Sequence, residues 1–185
     1  MTHEMPDPVT LFRRATALAA EVMAKVTSDQ LADPTPCTEW CVQELIDHMV
    51  ASTEYLRAAL DGGDQIARSG ATAADYRVGV AACLTGLAAP GALERTCLSP
   101  LGFEWPLEQA TAGTFMDNLV HTWDLASATG QDPRLDPGLV ETCIALFLPG
   151  MPERGRQAGI VGPAVPVGSD ASPQDRLLGA MGRHP

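Results

Sequence analysis

From Gln109 to Pro133 the chain carries no lysine, no arginine and no glutamate. Its only charges there are Asp117, Asp124 and Asp132, with one histidine, His121. A helix on a soluble surface normally turns lysine, arginine or glutamate to water along one face. On a wheel of about 100° per residue, Asp117, His121 and Asp124 fall within roughly 60° of one another. Ala110, Gly113, Thr114 and Ala128 share that stripe, while Phe115, Leu119, Trp123 and Ala126 lie opposite. Two readings stand side by side. The stripe is either the wet face of an amphipathic helix or a polar strip that is buried or lines a cleft. Small residues around two acids and a histidine suit the second.

The rest of the chain supplies partners for such a helix. Val9 to Val26 repeats Leu11, Ala15, Leu18, Val22 and Val26 at helical spacing, after an Asp7-Pro8 start. Asp33-Pro34-Thr35-Pro36 breaks the chain. Thr38 then reads as the N-cap before a second helix, Cys41 to Asp61, with a core stripe through Leu45, Met49 and Leu56. Gly62 and Gly63 stop it. Ala71 to Ala88 is an alanine-rich third helix. Thr96–Leu98 and Gly102–Trp105 flank Ser99-Pro100, which predicts a short hairpin or extended excursion. The fourth helix runs from Pro106 to about Thr129, a shorter one spans Asp136 to Leu148, and a tail helix spans Ala171 to Gly182 with Ser172 as cap and Pro173 first. The expected fold is all-α, a four-helix bundle with a hairpin excursion and a C-terminal helical tail. Residues 1–185 are expected to form a single domain, with 149–170 as a Gly/Pro-rich connection to the tail.

Composition narrows the function. Twelve basic against 23 acidic residues give a net charge of −11. Nucleic acid and anionic membrane surfaces need a basic patch, so neither is an expected partner. No run of about 20 apolar residues offers a spanning helix. Met1 to Pro8 is acidic and unlike a signal peptide. Five cysteines, an odd number in a chain of this length, point to free thiols and a cytoplasmic setting. No phosphate loop, nucleophile elbow or dinucleotide fingerprint is present.

Asp117 and His121 stand four residues apart, so both side chains project together. That spacing suits two ligands of one divalent metal, with a third from another helix and an open position. His48 is the leading third candidate, at the boundary of the second helix's apolar stripe; a boundary histidine with no metal role is the plainer alternative. Glu44, four residues before His48, is a weaker substitute for Asp117. Asp124 suits an acceptor for a ligand histidine or a base. His3 and His184 sit in the tails. Cys37-x3-Cys41 has the wrong spacing for a redox pair, and Cys41 reads as a small buried residue.

Three segments carry a resemblance: Thr35-Pro-Cys-Thr-Glu-Trp-Cys-Val-Gln-Glu-Leu-Ile-Asp-His48, Asp117-Asn-Leu-Val-His-Thr-Trp-Asp-Leu-Ala-Ser-Ala-Thr-Gly130, and the tail from Asp170 to Pro185. In order and spacing they resemble the actinobacterial DinB-like proteins related to the metal-binding domain of mycothiol-dependent maleylpyruvate isomerase. The resemblance implies a DinB-like bundle whose divalent metal, zinc or nickel, is held by His48, Asp117 and His121. The acid is commonly glutamate in such proteins, and aspartate here is one methylene shorter. The isomerase also has a further C-terminal domain, which a chain of this length is not expected to contain.

Three functions follow as expectations. The first is a metal-dependent S-transferase or isomerase, in which the metal activates a low-molecular-weight thiol such as mycothiol against an electrophilic small molecule. Asp124 would orient a ligand or act as base, and Tyr55 would donate a proton. The second is a metal-water hydrolase or lyase on the same site. The third is a non-catalytic metal- or ligand-binding module, with an apolar helix face open to homodimer formation.

Overall fold

The computed structural model describes residues 7–185, so His3 lies outside the described residues. The chain divides into two compact units, Met1–Gln131 and Asp132–Pro185.

In the first unit, α1 spans Pro8–Met23, α2 Val42–Asp61, α3 Ala73–Leu87 and α4 Leu107–Ala128. Asp7 caps α1 by accepting from Val9 N and Thr10 N, with Pro8 in the first turn where no amide is needed. Gly62, at φ +74°, ends α2 in the left-handed conformation. The N-cap of α2 is Cys41 rather than Thr38, because the Glu44 carboxylate reaches back to accept from Cys41 N at 2.8 Å. That bond also holds the Glu44 carboxyl below its usual range. Cys41 is half-buried, not buried.

The main packing partners are α1 with α4, α2 with α3, α2 with α4, and α1 with α3. They close a four-helix ring in which α1 and α2 stand on one diagonal and α3 and α4 on the other. The all-α bundle is as the sequence predicts. Thr96–Leu98 and Glu104–Pro106 form β1 and β2, an antiparallel hairpin in which Cys97 pairs with Trp105. One cluster joins Ala19 and Met23 of α1, Leu45, Met49 and Val50 of α2, Tyr76 of α3 and Leu125 of α4. Close approach of α2 and α3 depends on Gly79, where a Cβ would stand 2.3 Å from Thr53 Oγ1. Glu54 is 7% exposed and bonded to Arg57 Nε at 3.0 Å.

The second unit contains α5 (Pro137–Phe147), α6 (Met151–Gln157) and α7 (Pro173–Ala180). α5 packs on α7. Ser172 caps α7 by accepting from Asp175 N. Gln174 ties the unit's start to α7, accepting from Leu135 N and donating to Pro133 O. The Gly/Pro-rich stretch, read from sequence as a connection, contains α6. Pro152 sits in its first turn, where proline suits a helix.

Candidate metal centre

α4 decides the geometry. From Ala110 to Ala126 every residue is buried except Ala112, Gly113 and Asp117. The helix is therefore enclosed, and its charge-poor composition reflects packing on several sides. Asp117 and His121 project from adjacent turns of α4 toward His48 on α2. His48 Nε2 lies 3.2 Å from Asp117 Oδ1, and His121 Nε2 lies 3.4 Å from the same oxygen. The imidazole rings of His48 and His121 meet edge to face, 4.7 Å between centroids. The shorter aspartate thus reaches both histidines.

Asp124 sits one turn beyond His121 and is 0% exposed. Its Oδ2 accepts the Nδ1 proton of His121 at 2.8 Å. A carboxylate can only accept, so this bond holds the Nδ1 proton and turns Nε2 toward Asp117 and His48. Burial opposes charge on Asp117, yet His121 and His48 together hold its carboxyl well below the usual range. Burial likewise opposes the His121 cation, yet Asp117 and Asp124 raise it well above the ordinary imidazole value.

Two residues with no role in the sequence reading complete the surroundings. Cys37 Sγ donates to Asp124 Oδ2 at 3.4 Å and stands 4.0 Å from His121 Nδ1. The Trp40 ring tilts over both histidines, its centroid 4.6 Å from His48 and 5.7 Å from His121. Both come from the loop before α2. Buried Thr35 fixes that loop: its hydroxyl donates to Cys37 O and Trp40 O, and its amide also donates to Trp40 O. The Pro34-Thr35-Pro36 cluster signals a loop here but not which side chains it brings to His121.

The other candidates lie apart from this cluster. The Tyr55 hydroxyl donates to Leu98 O at 3.1 Å and accepts from Trp105 Nε1 at 2.8 Å. Burial and Cys97 push its phenol well up. Glu44 is committed to Cys41 N. His184 is exposed in the second unit.

His48, Asp117 and His121 offer one ligand atom each within 4.8 Å of one another, and so do Cys37, His121 and Asp124. Asp117 Oδ2 tests the fit of an ion at the first trio. It is a buried oxygen with no hydrogen-bond partner. A buried carboxylate oxygen rarely stays unpaired, and a cation is one thing that satisfies it. Two imidazole nitrogens and a carboxylate suit zinc or nickel.

The family described as the mycothiol maleylpyruvate isomerase N-terminal domain matches residues 12–126, which takes in all of these side chains. The chain belongs to this family. It is also similar to two uncharacterized proteins of Mycobacterium tuberculosis, from strain CDC 1551 / Oshkosh and strain ATCC 25618 / H37Rv. Each is 35% identical over 180 residues, covering 96% of this chain and 98% of the relative. No solved structure matches the chain. Family membership accords with a metal- and thiol-related domain. Among the described residues, no helix is long and apolar enough to cross a membrane.

Proposed function

We propose that the protein is a metal-dependent transferase or isomerase that joins a low-molecular-weight thiol to an electrophilic small molecule. The observation that carries this reading is the orphaned, buried Asp117 Oδ2 beside two imidazole nitrogens. His48, Asp117 and His121 would hold a zinc or nickel ion with a coordination position left for the thiol. Bound there, the ion would lower the thiol's pKa so that the reactive form is present at neutral pH.

The chain's own groups do the rest. Asp124 fixes the His121 ring by accepting its Nδ1 proton, and the Cys37 thiol donates to the same carboxylate oxygen. Trp40 covers the two histidines and limits water on that side. With Asp124 buried and engaged by His121, its role is orientation. In the reaction the thiol's proton goes to solvent, its sulfur pair forms the C–S bond, and the leaving group takes the displaced pair. With a conjugated electrophile the pair moves into the π system instead.

The test uses purified protein loaded with zinc or nickel, a low-molecular-weight thiol and a chlorodinitroarene. Chloride release above the uncatalysed thiol reaction is expected only when metal and thiol are both present. His48→Ala and His121→Ala should lower it about 100-fold or more, since each removes one ligand of three. Metal-dependent ester or amide cleavage with no thiol present would replace this reading with hydrolysis. Failure to retain metal would remove both.

A further inference from the structure

A partly exposed strip leads away from the metal centre along α2 and α4. The only incompletely buried α4 residues between Ala110 and Ala126 are Ala112, Gly113 and Asp117. On α2, His48, Ser52 and Tyr55 are half-exposed at successive turns of one face. The two strips run side by side and end at the same place. Tyr55 accepts from Trp105 Nε1, and Trp105 itself lies against Gly113, where a Cβ would stand 3.2 Å from its ring. With about 1.5 Å of rise per residue, Gly113 stands about 6 Å along α4 from Asp117, and Tyr55 about 10 Å along α2 from His48.

The end of this strip is an aromatic wall on one face of the hairpin. Cys97 pairs across from Trp105, and Phe103 stands just before β2 with its ring against Trp105. The Phe103 and Trp105 rings meet edge to face with centroids 5.8 Å apart, and Phe103 is 50% exposed. The wall's polar atoms are already paired with one another: Trp105 Nε1 to Tyr55, and the Tyr55 hydroxyl to Leu98 O. What remains on offer is ring surface. A ligand group seated there gains nothing from hydrogen-bonding capacity and gains from apolar area and planarity.

We infer that the α2–α4 strip is a substrate subsite, and that the electrophile carries an aromatic or other apolar group seated against Trp105 and Phe103, one to two helical turns from its reacting atom. The identity of the reacting end rests on the thiol-transfer reading above; the strip and its wall do not. Gly113 is required because a side chain there would meet the Trp105 ring that forms the wall.

Two probes separate the claims. On zinc-loaded protein, acetohydroxamate tests the metal end alone, and phenylalkyl hydroxamates with two to six methylenes test the strip. The best phenylalkyl chain should bind about tenfold tighter than acetohydroxamate, a gain typical of one added aromatic contact with its burial. Phe103→Ser and Trp105→Phe should erase most of that gain and leave acetohydroxamate affinity unchanged. On metal-free protein, the neutral dye N-phenylnaphthylamine should bind, be displaced by phenylbutanol, and bind several-fold more weakly to Phe103→Ser. Phe103 is a surface residue, so that variant keeps the fold testable. No gain from any phenylalkyl chain, or a gain untouched by both variants, overturns the subsite. If acetohydroxamate fails to bind, the metal reading falls and the dye decides the strip alone; no dye binding then overturns it.

Discussion

Asp124 holds His121 from one turn away on the same helix, accepting its Nδ1 proton at 2.8 Å from a position with no solvent exposure. Loss of this acceptor leaves the imidazole free to rotate or change tautomer. Asp124→Ala is expected to weaken zinc affinity about 10- to 100-fold, with Asp124→Asn at the milder end. Competition with a chromogenic chelator measures it. Circular dichroism should show the helical content retained.

Trp40 lies close enough to both histidines to report on an ion between them. Nickel or cobalt is expected to quench part of the protein's tryptophan fluorescence in a saturable, one-site titration. Trp40→Phe should remove most of the quenching, although Trp105 and Trp123 remain. Equal quenching in the variant would place the ion elsewhere.

The five thiols should fall into two classes. Burial pushes Cys83 and Cys143 up to about 12, while Cys37, Cys41 and Cys97 are half-exposed. A disulfide reagent at pH 8 is expected to label three thiols quickly and two only after unfolding. A linkage consequence follows. An acid whose folded pKa is raised keeps its proton in the folded state after the unfolded state has lost it. Each buried thiol therefore contributes nothing below pH 9 and costs stability as pH rises from about 9 toward 12. The slope is about 1.4 kcal/mol per pH unit per thiol. Cys83→Ala and Cys143→Ala should each flatten the alkaline limb of a denaturation-against-pH curve.

Gly79→Ala sets a methyl 2.3 Å from Thr53 Oγ1 at the α2–α3 contact. Helix propensity alone would favour alanine by about 1 kcal/mol. Overpacking of this kind costs about 1–3 kcal/mol, so the expected net is a loss. Thermal denaturation should show a lower Tm, partly restored by adding Thr53→Ala. A Tm at or above wild type would mean the two helices separate without penalty.

The sequence carried the bundle well and the site in part. Apolar spacing through Leu45, Met49 and Leu56, together with breakers at Pro34 and Gly62, was enough for α2. The i, i+4 relation of Asp117 and His121 was enough to bring those two side chains together. Thr38 was misplaced as a cap because serine- and threonine-like caps are the common signal, whereas here a carboxylate three residues into the helix does the capping from behind. Cys37 and Trp40 were not legible as neighbours of His121. Their approach depends on the path of a loop fixed by Thr35 hydrogen bonds, and loops have no period to read. Tyr55 was legible as a candidate for the site, but not its commitment to the hairpin, a pairing 50 residues distant. Glu54 shows the converse. A charged residue on a helix ordinarily faces water, and its partner Arg57 lets this one be buried.

Between Ala110 and Ala126, α4 is closed to solvent except at Ala112, Gly113 and Asp117. On the proposed thiol-transfer function, an inhibitor has no need to engage an ion or a histidine. A compact apolar molecule lodged against the Trp105 ring would block the approach to Asp117 by occupancy alone. It would act competitively while leaving metal content unchanged.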